Sequence, residues 1–263
     1  MPRFAALIVL LGLAAPLARA DGPPPLVDPL DALRAQADAV GQRVLDAFPR
    51  YDAAAIALAL ETIERRIAAA PATAIDRHLA AQACLELAVI HRHYDRNDFD
   101  HMPTALSATD AAEWAERGLA HARALETLAP AHADARRLEG ELLSFQIRGM
   151  VSGMTKGPEA KKAIEKALEL DPTNLHATVA LGRMYFHNPA IAGGDKERAL
   201  AVFRDAFERR AHFRASTYIG LCYEVKQMYP QARYWAAKTL ELAPENPEAA
   251  KLLARIERAE AGR

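Results

Sequence analysis

Cysteine is scarce: Cys84 and Cys222 are the only two in 263 residues. They lie far apart inside apolar helical patterns, and neither has a CxxC partner. This excludes a disulfide-stapled scaffold and a dithiol redox motif. A bridge needs Cα atoms within about 7 Å, so the reading is two separately buried thiols. Aromatic residues make up only 6% of the chain, and alanine and leucine dominate instead, which favours closely packed helices. No alternating β-branched run bounded by turns is found, so strands are not expected. Charge of one sign is also missing, with 33 basic residues against 34 acidic ones. Nucleic acid or a membrane surface as partner would need a concentrated basic face. Catalytic signatures are absent too: there is no GxSxG, no HExxH and no Walker glycine loop. The stretch Gly149 to Gly157 (GMVSGMTKG) contains Lys156, but it lacks the spacing and preceding strand of a phosphate loop and reads as an inter-helical loop. The chain is read as non-enzymatic and without a cofactor.

The one long apolar run is at the start. Arg3 forms a short basic region, Phe4 to Leu17 is apolar, and Ala18-Arg19-Ala20 offers small residues where a signal peptidase reads. Fourteen apolar residues are short for a bilayer span of about 20, so residues 1–20 are expected to be a cleaved secretory signal. No stable membrane insertion is expected after cleavage, and the location is read as periplasmic or secreted. Residues 21–28, with three consecutive prolines, read as an extended leader.

Beyond residue 28 the chain is a train of amphipathic segments. Their periodicity predicts helices over 28–48, 52–70, 73–94, 109–128, 131–150, 158–170, 174–187, 195–210, 213–228, 230–242 and 246–261. Two of these share an ending: Ala167-Leu168-Glu169-Leu170-Asp171-Pro172-Thr173-Asn174 reads almost like Thr239-Leu240-Glu241-Leu242-Ala243-Pro244-Glu245-Asn246. A weaker copy runs from Ala124 to Pro130. Self-similarity at such spacing marks a repeat architecture, and each proline stops the helix before it.

At this point the chain resembles the tetratricopeptide repeat family. The unit from Phe213 to Asn246 carries Ile219-Gly220, Tyr223, Ala232 and Pro244 at the family's spacing. The unit before it offers Leu181-Gly182, Tyr185, Ala199, Phe203 and Ala206, and a weaker one has Gly140, Ala160, Ile164, Ala167 and Pro172. Gly182 and Gly220 are expected to let paired helices approach closely. The resemblance implies an all-α, right-handed superhelical array of about 10–11 helices. Residues 129–263 are the repeats with a C-terminal capping helix, and 29–128 are divergent repeats or a cap. The match is imperfect: Thr178 and Ser216 stand where the family favours tryptophan, and insertions fall around 149–157 and 187–194.

The same resemblance implies function. Such arrays bind a protein or peptide partner along the concave face formed by the first helix of each pair. Carried over position by position, the groove would be lined by Arg137, Glu141 and Phe145, then by His176, Val179, Arg183, Phe186 and His187, and last by Arg214, Thr217, Leu221 and Glu224. Each could equally do no more than solvate or pack its helix. The Gly193-Gly194-Asp195 loop is similar to one in exported repeat proteins related to the T-component of tripartite ATP-independent periplasmic transporters. A ligand- or ion-binding accessory component of a transporter is therefore the alternative reading, with a closed pocket lined by 187–194. His91, His93, Asp95 and His101 are of metal-ligating type. Histidines two apart on a helix point about 200° away from each other, so a metal site there requires the helix to end between them. Expression in a secreting host should yield a product beginning at Asp21; an intact mass that still includes residues 1–20 would show the signal reading to be wrong.

Overall fold

A computed structural model describes residues 23–94 and 110–262. Among them the fold is all-α. It comprises α1 (Pro29–Gln36), α2 (Ala39–Ala47), α3 (Ala53–Ala69), α4 (Ala74–Tyr94), α5 (Ala111–Leu128), α6 (Ala133–Phe145), α7 (Met150–Leu170), α8 (Leu175–His187), α9 (Lys196–Arg209), α10 (Phe213–Val225), α11 (Tyr229–Leu242) and α12 (Pro247–Ala261), with short 3-10 turns at Phe48–Arg50 and Ala190–Ala192. The expected signal segment lies outside the described residues.

Short polar side chains set where these helices begin. Asp28, Asp38 and Asp52 each accept a backbone N–H at the start of α1, α2 and α3, and Asp110 forms a reciprocal capping box with Glu113 at α5. Such caps satisfy donors that have no intrahelical partner. The repeated Pro-x-Asn segments do the same work twice. Asn174 caps α8 through Ala177 N at 2.8 Å, and Asn246 caps α12 through Ala249 N at 3.1 Å.

Consecutive helices pack antiparallel in pairs, and α4, α6, α8, α10 and α12 also touch one another in sequence. These five form the inner layer, with α5, α7, α9 and α11 outside. Close approach is written in the glycines. A Cβ on Gly140 would sit 2.7 Å from the Ala160 carbonyl oxygen and 2.6 Å from Ile164, and one on Gly182 would sit 2.6 Å from the Phe203 ring. Gly118, not singled out from the sequence, is just as crowded by Cys84 and Leu142. Tyr185 packs with Ala199, and Tyr223 packs beside Ala232. Cys84 and Cys222 are free and buried, as expected.

The helix expected over 131–150 ends at Phe145, and two larger departures from the sequence reading follow. The helix expected over 28–48 is broken, because Ala37 is extended and Asp38 turns its side chain to cap a new helix at Gly41 N, 3.0 Å away. The second difference is that Gly149–Gly157, expected as a loop, is the helical start of α7, with Pro158 inside the helix. Ser152 closes its first turn on the Gly149 backbone at 3.1 Å. This extension carries Met150, Val151 and Met154 at 83%, 81% and 74% exposure.

Residues 24–27 pack against the start of α8 and beside α9. Val27 pairs as a short bridge with the start of α8, donating to Thr173 O at 2.7 Å and accepting from Leu175 N at 2.9 Å. Leu26 is buried in the α8–α10 core. Further along, Arg209 donates to Pro24 O at 2.9 Å, Phe48 stacks edge-on against Phe213, and Asn246 donates to Pro49 O at 3.2 Å. Residues 24–50 thus form a strap across the N-terminal ends of α8, α10 and α12.

Alanine is the better helix former by about 1 kcal/mol, yet Gly140→Ala should destabilise the fold by about 1–3 kcal/mol through overpacking. The urea midpoint reads this directly; a gain in stability would mean that α6 and α7 do not pack at this spacing.

Candidate functional site

The inner layer carries a continuous buried polar network. Helix α4 contributes His78, Gln82 and Glu86 at four-residue spacing, which puts them on one face, and all three are buried. His78 Nε2 meets Asp134 Oδ2 at 2.6 Å. Arg137, with 0% exposure, donates from Nε to Asp134 at 2.8 Å, from Nη2 to Gln82 at 2.7 Å and from Nη1 to Glu141 at 3.2 Å. Glu141 is also held by Arg183, while Glu86 accepts from Arg214 Nη2 at 2.6 Å. One chain of charges therefore links α4, α6, α8 and α10.

Burial sets the protonation pattern, and the partners correct it. Burial alone would raise Asp134 and Glu141, but Arg137 and His78 hold Asp134 well below the usual carboxylate range, and Arg183 with Arg137 lowers Glu141. At Glu86 burial prevails over Arg214 and the carboxyl is raised. The arrangement is a core of fixed charges: deleting the Arg137 head would remove the partner that buried Asp134 and Glu141 share, at a cost of about 3–5 kcal/mol.

These contacts correct the expectation of an open groove. Arg137, Glu141, Phe145, His176, Val179, Phe186, Arg214 and Thr217 are brought together on the inner layer but are buried. The reason is that the superhelix is tight and the strap fills its inside, so Phe48 lies under Arg214 at 4.2 Å. Thr217 bonds back to Phe213 O. Leu221 is half-buried against α12, and Glu224 pairs with Arg255 at 2.7 Å. Of the expected groove residues, Glu141, Phe145, Arg183 and His187 line the remaining open cleft.

That space is a cleft of about 400 Å³ at the opposite end of the inner helices from the strap. It is lined by apolar Phe145, Ile164 and Met184 and by polar Arg92, Arg183 and His187. Arg92 stacks over the Phe145 ring at 3.9 Å and donates to Ser144 O. His187 Nε2 lies 3.2 Å from the Tyr218 hydroxyl, and Arg183 sits over the Tyr218 ring at 5.7 Å. Asn188 and Pro189 close one side, so the insertion expected to shape a pocket does border one. Asp195 caps α9, and Gly193 adopts a positive φ of 81°. Ile191, at the tip, is fully exposed. Arg92 and Tyr218 were not singled out from the sequence.

Two metal readings can be weighed. Helix α4 continues through Tyr94, so the backbone of His91 and His93 lies on one uninterrupted helix. Asp95 and His101 lie outside the described residues. Elsewhere, Asp28, His176 and His212 place ligand-type atoms within 4.8 Å of one another. Their hydrogen bonds point the other way. Arg214 N–H donates to His212 Nδ1 at 3.2 Å, which leaves Nε2 as the protonated nitrogen of a neutral ring and removes the lone pair a metal would need. Asp28 instead accepts from Leu30 N at 2.8 Å and from His176 Nε2 at 3.0 Å, with His212 Nε2 at 3.8 Å. The cluster is a latch holding the strap.

No protein-family model matches the sequence, and comparison with curated proteins finds no match. Among solved structures, a thermophilic TPR protein of Thermus thermophilus superposes with a TM-score of 0.60 at 18% identity, over 87% of this chain and 98% of that one. The chain has a tetratricopeptide-repeat fold. The haemophore HusA of Porphyromonas gingivalis is matched with a TM-score of 0.49 at 17% identity over 84% and 92% of the two chains. MamA is matched with 0.38 at 15% over 86% and 99%.

The latch gives this TPR array a pH dependence of definite sign. Burial first, then His176, holds His212 well below 6.5, and burial lowers His132 as well. Asp28, Arg214 and Arg210 also face His212. The unfolded chain protonates these histidines near pH 6.5 while the folded one does not, so their contribution is full above 6.5 and is lost as pH falls. Below about pH 4 the depressed Asp28, Asp134 and Glu141 add to the loss. Glu86 works the other way, taking its proton in the folded state first. Urea unfolding between pH 7 and 5 should show falling stability, with up to about 1.4 kcal/mol per pH unit for each coupled proton. In His212→Asn, which keeps a helix-capping oxygen, that slope should flatten; an unchanged slope would remove His212 from the account.

Proposed function

We propose that this chain is an exported scaffold, periplasmic or secreted, that binds a protein or peptide partner on the inner face of its helical array. The observation that carries this reading is the strap. An extended segment of the chain itself already lies across one end of that face, paired through Val27 and anchored by Leu26 and Asp28. The face thus offers backbone donors and acceptors together with apolar sockets, the combination that extended peptides use. The other end is open at the cleft between α4, α6 and α8, and a partner's anchor would enter there.

A second reading is favoured by one observation. The cleft volume of about 400 Å³ falls in the range of small-molecule sites, roughly 300–1,000 Å³, and the 187–194 insertion contributes to its wall. A ligand-binding accessory component of a transporter would use it so.

Arg183 is a poor site for a charge-reversal test, because its guanidinium neutralises Glu141 and Arg183→Glu would place two carboxylates together. Ser144 lines the cleft at its mouth, and Ser144→Trp should fill it with the core intact. Capture from the native cell envelope should yield a stoichiometric protein partner with the wild-type chain, and at least tenfold less with Ser144→Trp at equal thermal stability. Recovery of a small molecule and no protein would shift the assignment to the carrier reading, and a partner retained in full would place binding elsewhere.

A further inference from the structure

The strap breaks at Ala37–Asp38 although its sequence is written as one helix. Leu30, Leu33, Ala37, Val40, Val44 and Ala47 fall at alternating steps of three and four, the spacing of a single apolar stripe along an uninterrupted helix. No proline or glycine stands between Leu30 and Val40. Ala37 and Asp38 already hold helical φ, at −71° and −74°, and only their ψ angles, 139° and −177°, depart from the helix. Turning these two angles joins α1 to α2. Polar contacts hold the break: the Asp38 carboxylate sits on Gly41 N and on Arg66, and Arg34 folds back on Gln42 and Asp46. In one straight helix Arg34 and Asp46 would stand about 18 Å apart, so straightening carries residues 24–36 off their own chain.

The seat of this arm is specific. It takes Leu26 into the α8–α10 core and pairs Val27 with Thr173 and Leu175. Asp28 meets His176, Asp31 meets Arg210, and Arg209 donates to the Pro24 carbonyl. Each partner lies more than a hundred residues further along the chain, so no short connection ties an arm to the seat of its own copy. We propose that the arm of residues 24–36 also seats on a second copy of this chain, each copy lending its arm to the other across a twofold axis, with α1 and α2 joined as one helix. The occupant of the seat is the same in closed and exchanged forms, so its fit and charge pairing are those already described. Exchange keeps the arm contacts, trades the hinge contacts for continuous helix, and makes the choice between the two forms a matter of concentration. The proposal goes beyond the scaffold reading and does not use the cleft.

Sedimentation velocity on the full chain across a concentration series tests this. The wild type should pass from monomer to dimer as concentration rises. Asp38→Ala removes the cap and places a strong helix former at the hinge, and should lower the midpoint concentration at least tenfold. Ala37→Pro fits the present φ but is barred from a helix interior, and should leave only monomer. Exchange itself is read by mixing Asp31→Arg with Arg210→Asp. Either variant alone sets like charges against each other, whereas an exchanged pair with one copy of each restores both ion pairs. In native mass spectrometry of the equimolar mixture the mixed dimer should exceed its statistical share of half the dimers. Monomer at every concentration in both the wild type and Asp38→Ala would overturn the proposal. So would a dimer that Ala37→Pro leaves intact, or a mixed dimer at the statistical share, and this last result counts even where Ala37→Pro does not fold.

Discussion

The architecture depends on a guanidinium that water does not reach. Arg137 joins Asp134, Gln82 and Glu141, and through them His78, Glu86, Arg183 and Arg214, so that four successive inner helices share one set of charges. Buried ion pairs seldom add net stability over a well-packed apolar core. Their effect is on arrangement. An apolar inner layer of alanines and leucines could slide by a turn at little cost, whereas here a slip would leave carboxylates and guanidinium groups unmatched in a low-dielectric interior. The charges fix the relative rotation and height of α4, α6, α8 and α10, and with them the curvature of the array.

That curvature divides the inner face into two ends with different fates. At the N-terminal ends of α8, α10 and α12 the chain's own strap supplies an extended segment, an aromatic contact and a carboxylate for the latch histidines. At the other end of the layer the helices diverge around Phe145 and Arg183, and the space between them is left to solvent or ligand. The insertions that depart from a regular repeat, the elongated start of α7 and the 187–194 segment, both border this second end. The departures from regularity are thus gathered where the array is open.

Much of the helical order was legible in the sequence, for identifiable reasons. The Pro-x-Asn endings at 172–174 and 244–246 place helix boundaries that the structure keeps, and Gly140, Gly182 and Gly220 mark close crossings. The break at Ala37–Asp38 was missed because alanine-rich periodicity runs straight through it and the decisive event is one side chain turning to cap. The helical start of α7 was missed because glycines read as loop, and only the Ser152 contact to Gly149 shows how the turn closes. At the candidate site, family spacing placed the groove residues on the correct layer. It could not report that the layer is filled, since the filling comes from Phe48, Asp28 and Leu26, more than a hundred residues away in sequence and outside any repeat.

The Val27 bridge to Thr173 and Leu175 has a consequence for how this molecule comes into being. Repeat arrays usually behave as one-dimensional stacks in which each unit needs only its neighbours. Here the strap finds its partners only after α8, α10 and α12 exist, so the stack is closed into a ring of dependencies. Contacts of such long sequence separation slow folding and bind the two ends into one cooperative unit. Loss of the strap would therefore loosen α8, α10 and α12 together.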